Sequence, residues 1–256
     1  MKSAQNDMTA GNPMKIICGF TLPIFIGNVF QQFYNMADAV IVGKFVGNKA
    51  LAAVGSTGTI MFLIYGFVVG MTAGFTVLTA QKFGAGDMKG MRKTVAGAGI
   101  LSLLVGALLT VLFMAFMKPL LILMNTPEDI IDGAYRYIFV IFLGIPATYL
   151  YNMVSGIIRS LGDSRTPLIF LILSSILNIL LDLFMILVLH MGEEGAAIAT
   201  VIAQAVSGVC CLIFMIKRFE LLRMTKEEAK PDRDILLALC NMGVPMGLQY
   251  SITAIG

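Results

Sequence analysis

Histidine and charge are the scarce ingredients of this chain. Its one histidine is His190, and only 13% of its 256 residues are charged. A metal-dependent or nucleophilic enzyme needs clustered His, Cys, Asp or Glu at ligand or nucleophile–base spacing. No such spacing occurs, and the chain is not read as an enzyme. The four cysteines, Cys18, Cys210, Cys211 and Cys240, also lack ligand spacing and fall in or near apolar stretches. They read as small buried apolar residues. A net charge of +3 is no nucleic-acid signal. A cleavable signal peptide is not expected, because the first dozen residues are polar and the apolar stretch after them is too long for an h-region.

What the chain has in abundance is hydrocarbon. Hydrophobic residues make up 58%, and mean hydropathy is +0.88. A soluble core of this size does not need that much apolar surface. The apolar runs exceed strand length and lack two-residue alternation, so helices rather than a barrel are predicted. Spans are expected over about 14–46, between Lys49 and Lys82, and over 94–117. Further spans are expected between Arg136 and Arg159, over 165–190 and 195–216, and from 235 to the last residue. The second span contains Gly66, Gly70 and Gly74 at four-residue spacing, a face for close helix packing.

Basic residues orient these spans. With the N-terminus inside, only Lys44, Lys49, Lys118 and Arg136 fall outside, against fourteen of the 18 Lys and Arg on the inner segments. That asymmetry predicts a cytoplasmic N-terminus in the cell inner (plasma) membrane.

Of the fifteen acidic residues, two lie within spans, Asp38 and Asp182. Asn178 precedes Asp182 by one helical turn, so the two share a face. A carboxylate in the middle of an apolar helix costs about 2.5–3.5 kcal/mol on insertion scales and calls for a partner. Counting from the outer ends at ~1.5 Å per residue puts Asp38, Asp182 and Thr200 at similar depth, with Asn178 a turn deeper. Two carboxylates, an amide and a hydroxyl suit a hard cation or a shared proton. A polar pair that only holds helices together is the other reading of Asn178 and Asp182.

The same residues carry a family resemblance. LPIFIGNVFQQFYNMADAVIVGKFVGNKALAAVG, residues 22–55, resembles the opening of the multidrug and toxic compound extrusion (MATE) family. AQKFGAGDMKGMRK (80–93) and RSLGDSRTP (159–167) are similar to its first two inner loops. NILLD (178–182) is similar to its fifth-helix Asn-x-x-x-Asp pair, and GAAIAT (195–200) to the start of its sixth helix. The resemblance implies an all-α membrane fold of twelve helices in two six-helix lobes. It further implies export of organic cations and amphipathic compounds against an inward flow of Na⁺ or H⁺, with no cofactor beyond that coupling ion. It places the cation or proton site at Asp38, Asn178, Asp182 and Thr200, and implies that Pro23 bends the first helix.

On this reading residues 1–13 are a cytoplasmic leader, 14–216 the six-helix N-lobe and 217–234 the inter-lobe linker. Residues 235–256 then begin a C-lobe whose remainder is a missing partner, and this partial helix is expected to be weakly held. The other partners implied are the lipid bilayer and small amphipathic or cationic substrates. The alternative is a lipid-linked saccharide flippase of the same wider superfamily. That activity calls for basic residues inside the membrane for pyrophosphate, and none is expected well inside a span.

Overall fold

A computed structural model of the chain describes residues 12–253; most of the expected leader and the last three residues lie outside them. The described residues form helices and the turns between them, without a strand. Helix α1 spans Pro13–Ile41, with Asn12 Oδ1 capping its first turn and Pro23 inside it. Then follow α2 (Asn48–Ser56), α3 (Gly58–Gly84), α4 (Met88–Leu123), α5 (Ile131–Leu143) and α6 (Ile145–Ser160). Helices α7 (Arg165–Leu183), α8 (Glu193–Arg218) and α9 (Arg233–Thr253) complete the bundle. Six helices are long and apolar enough to cross a membrane, and seven spans result when the bent pair α5–α6 counts as one. The chain is a multi-pass membrane protein.

Three expected spans are remodelled. The second is two helices, α2 and α3, broken at Thr57, whose hydroxyl turns back to the Val54 carbonyl at 2.7 Å. The third extends beyond its apolar stretch at both ends, and Asp87 caps the start of α4 by accepting from Gly90 N at 2.8 Å. That bond, aided by Lys82, holds the Asp87 carboxyl below its ordinary range. The fourth bends by 44° between α5 and α6. Pro146 supplies no N–H to the Phe142 carbonyl one turn back. Thr110 on α4 donates to that carbonyl at 3.2 Å, so it is not left empty by the break.

Both helices that carry intramembrane carboxylates end alike. Helix α1 runs into a π turn, Val42–Val46, and α7 into another, Phe184–Val188, and the two turns touch. The core has two parts. Ile41, Val42, Leu121, Ile138 and Phe142 belong to the part at the π-turn end. Met91, Val95, Ile157, Leu161 and Phe219 belong to the part at the opposite end, where the segment between α8 and α9 lies.

Helix α9 is not weakly held. It makes the most extensive helix pairing of the fold, against α3. A β-carbon on Gly66 would meet the Tyr250 carbonyl oxygen at 3.0 Å, one on Gly70 would run into the Met246 carbonyl, and one on Gly74 would stand 2.7 Å from Gly243 Cα. The small-residue face of α3 therefore has α9 as its partner, and Ser251 adds a hydrogen bond to the Leu63 carbonyl at 2.8 Å. The preceding segment is clasped to α4. Arg92 donates to Glu228 at 2.6 Å and Lys93 to Asp232 at 2.6 Å. Bonds from Arg92 and from Thr225 N hold the Glu228 carboxyl down at about 2.

Candidate cation and substrate site

Helices α7 and α8 run antiparallel and are joined by rungs one helical turn apart. Ser207 Oγ donates to the Phe170 carbonyl at 3.0 Å and Ser174 Oγ to the Ala203 carbonyl at 3.1 Å. The third rung joins Asn178 and Thr200, with 3.2 Å between their side chains. The amide orientation that satisfies both neighbours has Asn178 Nδ2 donating to Asp182 Oδ2 at 3.1 Å, while its oxygen accepts from the Thr200 hydroxyl. The two readings of this pair are thus compatible, since Asn178 both joins the helices and orients a carboxylate.

Asp182 is fully buried, Asn178 is 1% exposed and Thr200 is 8% exposed. Asp182 Oδ1 is buried and has no hydrogen-bond partner among the described residues. The same holds for Oδ1 of Asp38, on α1. Asp38 makes no direct hydrogen bond to the other three residues, but it is near enough to Asp182 for their charges to repel. Two unsatisfied carboxylate oxygens buried in one apolar bundle are costly unless a proton or a cation joins them. Tyr34 and Tyr137 stand within electrostatic reach of both carboxylates. Tyr34 lies one turn before Asp38, so its place on the same face was readable from spacing; Tyr137 comes from α5, and only the fold brings it there.

Asp38 and Thr200 open onto a cavity of about 570 Å³. Its wall on α1 is the polar run of the sequence, Asn28, Gln31, Gln32, Asn35 and Asp38, brought to one side by helical spacing. Asp182 and Asn178 do not line it; they sit behind Thr200. Pro23 lines the cavity fifteen residues before Asp38, which is ~22 Å along the helix, so it does not belong to the carboxylate cluster. Gly27 next to it receives α7, with Leu171 Cδ2 3.3 Å and Leu168 Cδ1 3.5 Å from where its β-carbon would be. One expectation fails at this cavity. Arg159 is not a loop residue; it is in the last turn of α6, and its side chain lines the wall.

Among the described residues no group of three or more His, Cys, Asp and Glu side chains could hold a metal ion. The candidate donors are two carboxylates, Asp38 and Asp182, with a neutral amide and hydroxyl from Asn178 and Thr200.

The MatE family profile matches residues 23–184, a segment that includes Pro23, Asp38, Asn178 and Asp182. The chain belongs to the MatE family. It is 35% identical over 255 residues to the probable multidrug resistance protein YpnP of Bacillus subtilis (strain 168), covering 96% of this chain and 55% of that protein. It is 30% identical to the probable multidrug resistance protein YoeA of the same organism, covering 92% and 52%. Among solved structures, an outward-facing multidrug resistance MATE family transporter of the MOP superfamily superposes with a TM-score of 0.89 at 29% identity. That match covers 96% of this chain and 54% of the other. The chain spans about half the length of the curated relatives it matches. Its helices form one lobe of a two-lobe MATE-type fold.

Proposed function

We propose that this chain is the cation-binding half of a secondary active multidrug exporter, which expels organic cations and amphipathic compounds in exchange for Na⁺ or H⁺. One observation carries the reading: Asp38 and Asp182, on different helices, each keep a buried unpaired oxygen, and Asp38 shares with Thr200 of the Asn178–Thr200 pair the wall of a cavity able to hold a drug-sized molecule. The names of the relatives, probable multidrug resistance proteins, support the substrate class.

In this reading Na⁺ or H⁺ is cargo. An ion or proton arriving at Asp38 and Asp182 relieves their mutual repulsion, with Asn178 and Thr200 supplying neutral oxygens. Helix α1 responds because it is lightly held. It packs chiefly on α7, and most of its length is exposed to lipid or cavity. Pro23 leaves the Gly19 carbonyl without its intrahelical donor, so bending there costs little. Two occupancies of the carboxylates then favour two shapes of α1, and the cavity alternates between loading and release.

Residues 14–216 are assigned to the N-lobe, 217–234 to a cytoplasmic linker and 235–256 to the start of the second lobe. The N-terminus faces the cytoplasm of a cell inner membrane. The deciding experiment is drug efflux from proteoliposomes carrying the two-lobe transporter, with Na⁺ and pH gradients imposed separately. Efflux driven by one gradient is expected; efflux indifferent to both would sink the antiport reading.

A further inference from the structure

The cavity carries opposite charges at its two ends. Asp38 stands at the π-turn end. Arg159 stands at the other, where Ser164 and Pro167 also line the wall. Among the described residues Arg159 forms no salt bridge, and the hydrogen bond its guanidinium makes is to Ser155 Oγ at 3.0 Å. Asp163, the nearest acid in sequence, is committed elsewhere. Its Oδ1 accepts from Arg165 N and Thr166 N at 3.0 Å each, and its Oδ2 accepts from the Thr166 hydroxyl at 2.6 Å. It therefore caps α7 and leaves Arg159 unneutralised.

A half-buried guanidinium with free donors on a cavity wall is out of place in a chamber for cations alone. Guanidinium presents a planar fork of donors matched to a carboxylate. Gln204 lines the same cavity, and its Oε1 is buried without a hydrogen-bond donor among the described residues. Between the charged ends the lining includes the α1 amides and the apolar Phe62, Leu168 and Leu171.

We infer that Arg159 is a substrate-binding residue that seats the carboxylate of zwitterionic amphiphiles. The carboxylate docks on the guanidinium, the apolar body lies against Leu168 and Leu171, and the cationic end points along the amide stripe toward Asp38. The inference rests on the efflux reading above and adds to it the residue that holds a substrate's carboxylate; simple cations bind without it. An arginine that merely anchors the end of α6 at the membrane surface would not discriminate between such ligands.

The test uses two dyes with one chromophore, tetramethylrhodamine, which carries a carboxylate, and its methyl ester, which does not. Each is titrated by fluorescence anisotropy against the purified chain in nanodiscs. Wild type is expected to bind both. In Arg159→Gln the acid should bind about tenfold more weakly, since a charge-assisted bond is lost, while the ester is unchanged. Arg159→Lys, which keeps charge but not the fork, should fall between. Unchanged ester binding also reports that the variants are folded. Equal weakening of both dyes, or of neither, overturns the inference. Wild type binding the ester but not the acid overturns it and leaves the efflux reading standing. Wild type binding neither dye removes the chamber itself, and the efflux reading falls with it.

Discussion

Gly74 of α3 and Gly243 of α9 meet backbone to backbone: a β-carbon on Gly74 would lie 2.7 Å from Gly243 Cα. Gly243 in turn has no room for a side chain, because its own β-carbon would stand 2.6 Å from the Phe75 ring. Without a hydrophobic force between helices in lipid, such close approach is what holds α9 to the lobe. Gly74→Ala should therefore destabilise the chain by about 1–3 kcal/mol, as overpacking does. Gly19→Ala, where nothing lies within 4 Å, should be neutral or mildly stabilising. Thermal unfolding in detergent compares the two; equal midpoints would show that the α3–α9 contact is not a close one.

Asp38→Asn and Asp182→Asn keep shape and remove the two intramembrane acids. Each should abolish ion-coupled efflux by the two-lobe transporter while leaving insertion intact. Each should also erase the rise in melting temperature that the coupling ion gives wild type, since a ligand that binds only the folded state stabilises by mass action. A variant that still exports drug at normal expression removes its residue from the mechanism.

Pro23→Ala restores the N–H that the Gly19 carbonyl lacks and stiffens α1. Transport should slow, while the affinity for the coupling ion, ~22 Å away at Asp38, stays as in wild type. Full transport speed in this variant would rule out bending at Pro23 as a required step.

The Glu228 carboxyl sits at about 2, so its ionised form is the one the clasp stabilises. A carboxyl lowered by folding contributes stability above its ordinary range and loses it as pH falls through the folded value. The clasp to Arg92 should therefore be intact throughout pH 5–8. Glu228→Gln should open it at any of these pH values. Trypsin cleavage at the exposed Arg223 and Lys226 measures this; it should be slow in wild type and several-fold faster in the variant. In sealed vesicles the cut should occur only when the cytoplasmic face is outward, so cutting from the opposite face would reverse the proposed orientation.

Sequence was most informative where the bilayer imposes one-dimensional rules. Length and hydropathy marked every span, because each helix must satisfy its own backbone in lipid. The cost of burying charge singled out Asp38 and Asp182. Four-residue spacing marked the glycine face of α3. What spacing cannot express is which helices meet. The approach of Asp38 to Asp182, the joining of α7 to α8 through Asn178 and Thr200, and the docking of α9 onto α3 all depend on side chains from distant segments. Arg159 is the sharpest case. By its place in the chain it is an inner-loop charge like its neighbours, and only the packing of α1, α6 and α7 around one cavity turns it into a wall residue. The break at Pro146 was visible as a proline, but its tolerance rests on Thr110, thirty-two residues from the carbonyl it serves. Local rules of covalent geometry and solvation fixed the helices; the pairing of their polar and small residues, a three-dimensional condition, decided the site.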